Sequence, residues 1–254
     1  MKLIKYSILL FIGLFFLSCS KDNPVDNNQT FANYLPVTVG SYWIYDTYTL
    51  DSNSQRTSLV PQIDSTIVTG TIVKLGYEGS IFTSYTIDSG RVSTGTDVFY
   101  RSDSSKIWVY TNIITNMLPP QMPIQINEQW MLLANPNDDD WKIMEQNFEN
   151  LQILPGTSFN GNHTVWGSKV GPSTVQIGTK QFQTIKYLMK ITFSGTMTTI
   201  GGDIPINFTR NTYLYFAEDI GLIKMFMEPL KFSIFTFSMN LPGEDRTLTK
   251  FFIH

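Results

Sequence analysis

From Ser41 onward the chain alternates. In Ser41-Tyr42-Trp43-Ile44-Tyr45, Trp43 and Tyr45 fall on one face of a strand while Tyr42 and Ile44 fall on the other, as a period of two requires. Similar runs follow at Ser65 to Leu75, Ser80 to Ile87, Val92 to Tyr100, Lys106 to Ile113, Glu128 to Leu133 and Trp141 to Phe148. They continue at Thr164 to Lys169, Phe182 to Met197, Ile206 to Phe216, Gly221 to Met227, Phe232 to Met239 and Thr247 to Ile253. Turn-forming clusters separate them, among them Asp51-Ser52-Asn53-Ser54, Asp88-Ser89-Gly90, Ser102-Asp103-Ser104-Ser105, Asn135-Pro136-Asn137 and Gly201-Gly202-Asp203. About 13 short strands with little chain between them must pair antiparallel through hairpins, because a parallel crossover takes about a dozen residues or more. The expectation is one all-β domain, a strongly curved antiparallel sheet or partly closed barrel. Asp138 to Leu154 is the least strand-like stretch and admits a single helix.

Composition agrees with sheet. Aromatic residues make up 14% of the chain and charged residues only 15%, with Thr, Ile and Val abundant. Most aromatic side chains, including Trp43, Trp108, Trp130, Trp141 and Trp166, are expected in core and cross-strand packing; the alternatives are a lined apolar cavity or a stacking platform for sugar rings. Ile220 to Phe237, with Met225, Met227, Phe232 and Phe235 around Pro229, is apolar on both faces. It is therefore either central in the sheet or turned toward something greasy.

The N-terminus has a different character. Lys2 and Lys5 precede the apolar run Ile8 to Leu17, and small Ser18 stands before Cys19. This is the pattern of an export signal, removed at residue 18, since the run is too short to span a bilayer that needs ~20 apolar residues. Cys19 is the only cysteine, so it has no disulfide partner, and Phe16-Leu17-Ser18-Cys19 resembles a bacterial lipoprotein cleavage site. The resemblance implies a mature chain that begins at an acylated Cys19, carrying palmitate and further acyl chains, and several chains hold a protein stably where one is marginal. Ser20 next to it resembles the sorting signal for the outer membrane of a Gram-negative bacterium. Residues 20 to 33 are polar and broken by Pro24. They read as a flexible tether with an end-to-end distance of roughly 20 Å, so residues 34 to 254 form the folded domain.

One local pattern occurs twice. Pro36-Val37-Thr38-Val39-Gly40-Ser41-Tyr42-Trp43 and Pro123-Ile124-Gln125-Ile126-Asn127-Glu128-Gln129-Trp130 both run from proline through alternating branched residues to Gly or Asn, then to Trp three positions on. Gly40 or Asn127 can take φ > 0 to reverse the chain, and the indole then covers the turn. These two pieces, followed by Val175 to Lys186 and by Tyr213-Leu-Tyr-Phe-Ala-Glu-Asp-Ile-Gly221-Leu-Ile-Lys224, resemble a group of Gram-negative envelope lipoproteins. What the resemblance implies is a lipoprotein-carrier-like or lipocalin-like fold wrapped around an apolar concavity; it brings no catalytic residues.

The chemistry of sites is sparse. Two histidines, His163 and His254, leave no His-rich metal centre and one credible base. Gly156-Thr157-Ser158-Phe159-Asn160 lacks the second glycine of a nucleophile elbow, so Pro155 to His163 reads as a solvated loop. Asn135 to Asp140 concentrates oxygen ligands for a hard cation but lacks the glycine turn and distal glutamate of a calcium loop, and an acidic surface loop fits it better. The carboxylates Asp46, Asp64, Glu78, Glu145, Glu218 and Asp219 show no pairing by spacing. A formal charge of −3, more negative once Lys2 and Lys5 are removed, together with scattered basic residues, argues against nucleic acid. The reading is a non-catalytic, membrane-anchored envelope lipoprotein without cofactor or metal, binding an apolar ligand or an envelope protein. A surface carbohydrate binder and a glycosidase or esterase are the alternatives.

Overall fold

The computed structural model describes residues 32–88, 90–111, 127–154, 156–234 and 237–254, with the side chains of 153, 154 and 232–239 left aside. The export signal, Cys19, most of the tether and Pro123 to Ile126 of the repeated pattern lie outside these residues. Among the described residues every regular element is a strand. A first meander contains β1 (Tyr42–Leu50), β2 (Gln62–Lys74), β3 (Tyr77–Asp88), β4 (Arg91–Thr94), β5 (Val98–Asp103), β6 (Lys106–Tyr110) and β7 (Trp130–Ala134). A second contains β8 (Asp140–Leu154), β9 (Thr157–Ile177), β10 (Lys180–Thr199), β11 (Gly202–Ala217) and β12 (Gly221–Met227). A hairpin of β13 (Leu230–Ile234) and β14 (Phe237–Leu241) follows, then β15 (Gly243–Phe252).

Strand β15 joins the two meanders. It pairs with β1 on one side and β12 on the other, giving a 13-stranded antiparallel sheet in the order β7-β6-β5-β3-β2-β1-β15-β12-β11-β10-β9-β8, with β4 appended to β3. The sheet curls so far that its outer strands, β7 and β8, come together. Among the described residues no ladder joins them; the Trp141 side chain does, its Nε1 donating to the Leu132 carbonyl at 2.7 Å, while Lys169 Nζ of β9 holds the turn between them through the Pro136 carbonyl at 3.0 Å. The sheet is therefore nearly closed into a barrel, with two otherwise unpaired edges blunted against each other.

The two-residue period decides which face turns inward. Along β11, Ile206, Phe208, Arg210, Thr212, Leu214 and Phe216 are all buried, while Asn207, Thr209, Asn211, Tyr213 and Tyr215 alternate with them on the outside. Trp43, Tyr45 and Thr47 do the same on β1. Burying a large apolar side chain of this kind contributes ~1.5–3 kcal/mol, and one continuous core runs through all the long strands.

Four expectations needed correction. Asp138 to Leu154 holds no helix but strand β8, which pairs with β9 along its length. Register shifts at Lys142/Met144, Phe148/Leu151 and Gln152/Leu154 break its alternation and disguise the strand as an irregular apolar pattern. Thr157 to His163 is not a solvated loop but the first part of β9, its outward Ser158, Asn160 and Asn162 masking the inward Phe159 and His163. The run Val92 to Tyr100 divides into β4 and β5 about Gly95, Thr96 and Asp97, where Thr83 Oγ1 donates to Asp97 at 2.7 Å. The run Phe232 to Met239 is a hairpin, β13 with β14, rather than one strand.

Two of the motif pieces meet. Trp43 Nε1 donates to the Ile220 carbonyl at 2.6 Å, so the first indole caps the β11–β12 turn, where Gly221 takes the φ of 102° that other residues adopt only with strain. Trp130 serves the β2–β3 turn in the same way, through the Lys74 carbonyl at 2.9 Å. Both tryptophans of the repeated pattern thus seal a hairpin end, and Gly40, at φ 93°, lies against the His254 ring as the chain enters β1.

Candidate functional site

The curled sheet leaves a cavity of about 620 Å³ along its inner face. It runs beside β1 from Trp43 to Thr49, six residues and hence ~20 Å of strand. Its volume lies within the ~300–1,000 Å³ typical of small-molecule sites. Leu35 and Trp43 line it where the chain enters the domain; Thr49, Pro242 and Glu244 line it toward the other end. Most of the wall between is apolar and comes from both meanders: Phe82, Val98 and Leu133 on one side, Met189, Leu214 and Met225 on the other. Large aromatic side chains, Trp43, Tyr45, Phe82, Tyr100 and Phe216, also stand in the wall without closing the space between them.

One part of the wall is charged. Arg246 Nη2 pairs with Glu244 Oε1 at 2.9 Å and with Asp64 Oδ2 at 3.3 Å. Asp64 is buried and surrounded by donors: Thr47 at 2.6 Å, Thr86 at 2.8 Å and Gln62 at 2.9 Å. Arg210, also buried, donates Nε to the Glu228 carbonyl at 2.9 Å and Nη2 to the Pro242 carbonyl. It thereby pins the chain on both sides of the β13–β14 hairpin to β11. Burial holds the Arg210 guanidinium below its ordinary pKa against the pull of Glu244. Burial also opposes the charge of Arg246, but Glu244 and Asp64 outweigh it and raise the guanidinium above its usual value. Removing one partner of the Asp64, Arg246 and Glu244 set leaves a buried charge uncompensated, so these three groups hold together as a unit, with Arg210 near enough for Glu244 to act on its charge.

The phenols report the same environment. Tyr100 is pushed up to about 12 by burial, with Arg246 drawing it the other way. Tyr45 is raised further, again by burial, while its hydroxyl donates to the Leu222 carbonyl at 3.1 Å. Both phenols lie in low-dielectric surroundings, whereas the Arg246 and Glu244 side chains beside them remain 27% and 24% exposed.

The residues singled out in the sequence fall in several places. Ser158 and His163 stand an odd number of positions apart on an unbroken stretch of the β9–β10 ladder, so they face opposite sides of the sheet and cannot act together. His163 is fully buried, stacked on Phe193 at 4.2 Å, with both ring nitrogens unpartnered among the described residues, and burial lowers its pKa to about 4. The Asn135 to Asp140 turn is closed on itself: Asn135 Nδ2 donates to Asp138, and Asp139 pairs with Lys169 at 3.3 Å. Among the described residues no group of three or more His, Cys, Asp or Glu is gathered as for a metal ion.

Glu145 lies on the outside, its pKa lowered by a hydrogen bond from Lys142. Of the carboxylates considered, Asp64 alone lines up with the cavity's charged wall. Trp43 and Trp141 are buried, Trp108 and Trp130 flank the Arg101 guanidinium, and Trp166 is 40% exposed. The described tryptophans thus form no exposed coplanar platform.

Arg210, Glu244 and Arg246 were not singled out in the sequence. The available signal was parity: Arg210 alternates with Phe208 and Thr212, and Arg246 with Leu248, so both occupy inward positions where an apolar residue is expected.

The sequence matches no family model and no curated protein. Three solved structures match the chain, each with a TM-score below 0.5. One is a candidate lipoprotein from Parabacteroides distasonis, 12% identical over 88% of this chain and 100% of that one, with a TM-score of 0.48. Another is an exported protein with a YmcC-like fold from Bacteroides fragilis, 14% identical over 87% and 99%, with a TM-score of 0.42. The third is the hypothetical lipoprotein YmcC from Escherichia coli, 12% identical over 95% and 94%, with a TM-score of 0.28.

Proposed function

We propose that this chain is a non-catalytic lipoprotein of the Gram-negative envelope, anchored to the outer membrane through acylated Cys19, that holds an apolar ligand inside its curled sheet. The observation that carries the binding part is the cavity of about 620 Å³ walled by Phe82, Leu133, Met189, Leu214 and Met225. An acyl chain entering an apolar cavity of this size gains ~0.8 kcal/mol for each methylene removed from water. Asp64, the one considered carboxylate that touches the cavity wall, behind the lining Arg246, is engaged by that guanidinium and by three neutral donors. Such a group positions its neighbours and is not available to a substrate as acid or nucleophile. The lack of an exposed tryptophan platform among the described residues favours an apolar ligand over a sugar.

The two parts are tested separately. Radiolabelled palmitate should enter the wild-type chain and not a Cys19→Ala variant, and equal labelling of both rejects the anchor. Native mass spectrometry of the full chain, gently extracted from membranes, should reveal a co-purifying apolar molecule. A chain that stays at its bare mass after exposure to long-chain lipids rejects the cavity as a binding site.

A further inference from the structure

The charged part of the cavity wall specifies what kind of head the apolar ligand carries. Arg210, Glu244, Arg246 and Asp64 all stand at or beside the cavity, and their formal charges alternate and cancel. Asp64 is fully engaged by its three neutral donors and Arg246. Arg210 gives two of its nitrogens to backbone carbonyls. Two buried atoms of the set have no hydrogen-bond partner among the described residues: the donor Arg246 Nε and the acceptor Glu244 Oε1, which meets the guanidinium only as an ion pair. A buried donor without an acceptor costs ~1–3 kcal/mol, so the position calls for an oxygen supplied from the cavity.

An ionised head would serve that donor badly. Any anion reaching Arg246 Nε stands beside Glu244 and Asp64, which are paired with the same guanidinium, and at such short range their repulsion opposes it. A cationic head meets Arg210 and Arg246 instead. An uncharged head with a carbonyl or hydroxyl oxygen satisfies the donor and leaves the balance of the four charges undisturbed.

We propose that this wall receives the uncharged, oxygen-bearing head of a single-chain amphiphile of the acylglycerol class, with Arg246 Nε donating to its carbonyl oxygen while the chain lies among Met189, Leu214 and Met225. The assignment rests on the reading of the cavity as an apolar-ligand site.

The test is a competition on the full chain, read by native mass spectrometry near pH 7, between equal amounts of monopalmitoylglycerol and palmitate. The chains are identical, so the adduct ratio isolates the head. The glyceride adduct should exceed the palmitate adduct by at least roughly tenfold, a difference of ~1.4 kcal/mol that an uncompensated buried charge more than supplies. Glu244→Gln keeps the side-chain shape but removes one negative charge, and it should move the ratio toward palmitate by a similar factor with the fold retained by circular dichroism. Met225→Trp, which fills the chain-binding part, should lose both adducts. Palmitate binding as well as or better than the glyceride, or a ratio unmoved by Glu244→Gln, overturns the head-group assignment and leaves the cavity reading standing. Neither lipid adding to the wild type, or both still adding to Met225→Trp, overturns the cavity reading and the assignment with it.

Discussion

Strands β9, β10 and β11 pass through two interiors that treat the same kinds of residue in opposite ways. At one end Phe193 lies between His163, at 4.2 Å, and Phe208, at 4.9 Å, and all three are register partners on neighbouring strands. Phe148 and Phe159 close the same end at 6.0 Å. Glycines let the backbones approach: a Cβ on Gly161 would fall 2.4 Å from the Ser194 carbonyl oxygen. Four residues back along β10, Met189 faces open cavity. Alternation is the same in both places, so the period of two does not decide between a filled interior and a hollow one. Side-chain volume and strand approach do. Rings stacked in contact across three strands with glycine beneath them fill their end, whereas the aromatic and aliphatic side chains and the ion-paired wall around the cavity stand apart and leave space.

Substitutions should separate the two interiors. The largest effect is expected of Phe193→Ala, which removes the middle ring of the stack and should cost ~3–5 kcal/mol in urea unfolding. A loss near that expected for an exposed residue would mean that the aromatic end is not packed as described.

The next effect depends on pH and belongs to the filled end alone. His163 has its folded-state pKa lowered to about 4 by burial, below the ~6.5 of an exposed histidine. Between these values the unfolded chain binds the proton and the folded one does not, so stability is full above about pH 6.5 and declines as pH falls toward 4. The decline should amount to ~3 kcal/mol. His163→Phe should flatten that part of the stability profile; an unchanged slope in the variant would assign the acid sensitivity elsewhere.

The smallest effect is expected at the hollow end. Leu214 lines the cavity, so Leu214→Ala enlarges an existing space and should cost no more than ~2 kcal/mol, the low end for such a truncation. If it matches Phe193→Ala, the cavity wall is as tightly packed as the stack and the contrast fails.

Much of the sheet could be read in advance, because most strands keep their parity for long runs and end at clear turns. Gly221 to Met227 appears with the same bounds in sequence and structure. The misreadings occur where parity is interrupted or camouflaged. Register shifts hid β8, and outward Ser158, Asn160 and Asn162 made the start of β9 look like a loop. The apolar character of Ile220 to Met227 did point to an interior role: Met225 and Met227 line the cavity from a strand central in the sheet. The charged wall was hidden for a different reason. Asp64, Arg210, Glu244 and Arg246 lie far apart in sequence and meet only because β15 enters between β1 and β12, a long-range pairing that no local pattern announces.

The central claim is that the hollow end takes up an apolar molecule. The most direct measurement is a fluorescence titration of the full chain with N-phenyl-1-naphthylamine, an uncharged probe that brightens out of water, carried out on wild type and on Met225→Trp. The wild type should show saturable enhancement at one probe per chain, while Met225→Trp, destabilised by no more than ~1–3 kcal/mol by the added volume, should show only the weak linear rise of surface partitioning. Equal, non-saturating curves for the two proteins would contradict the account.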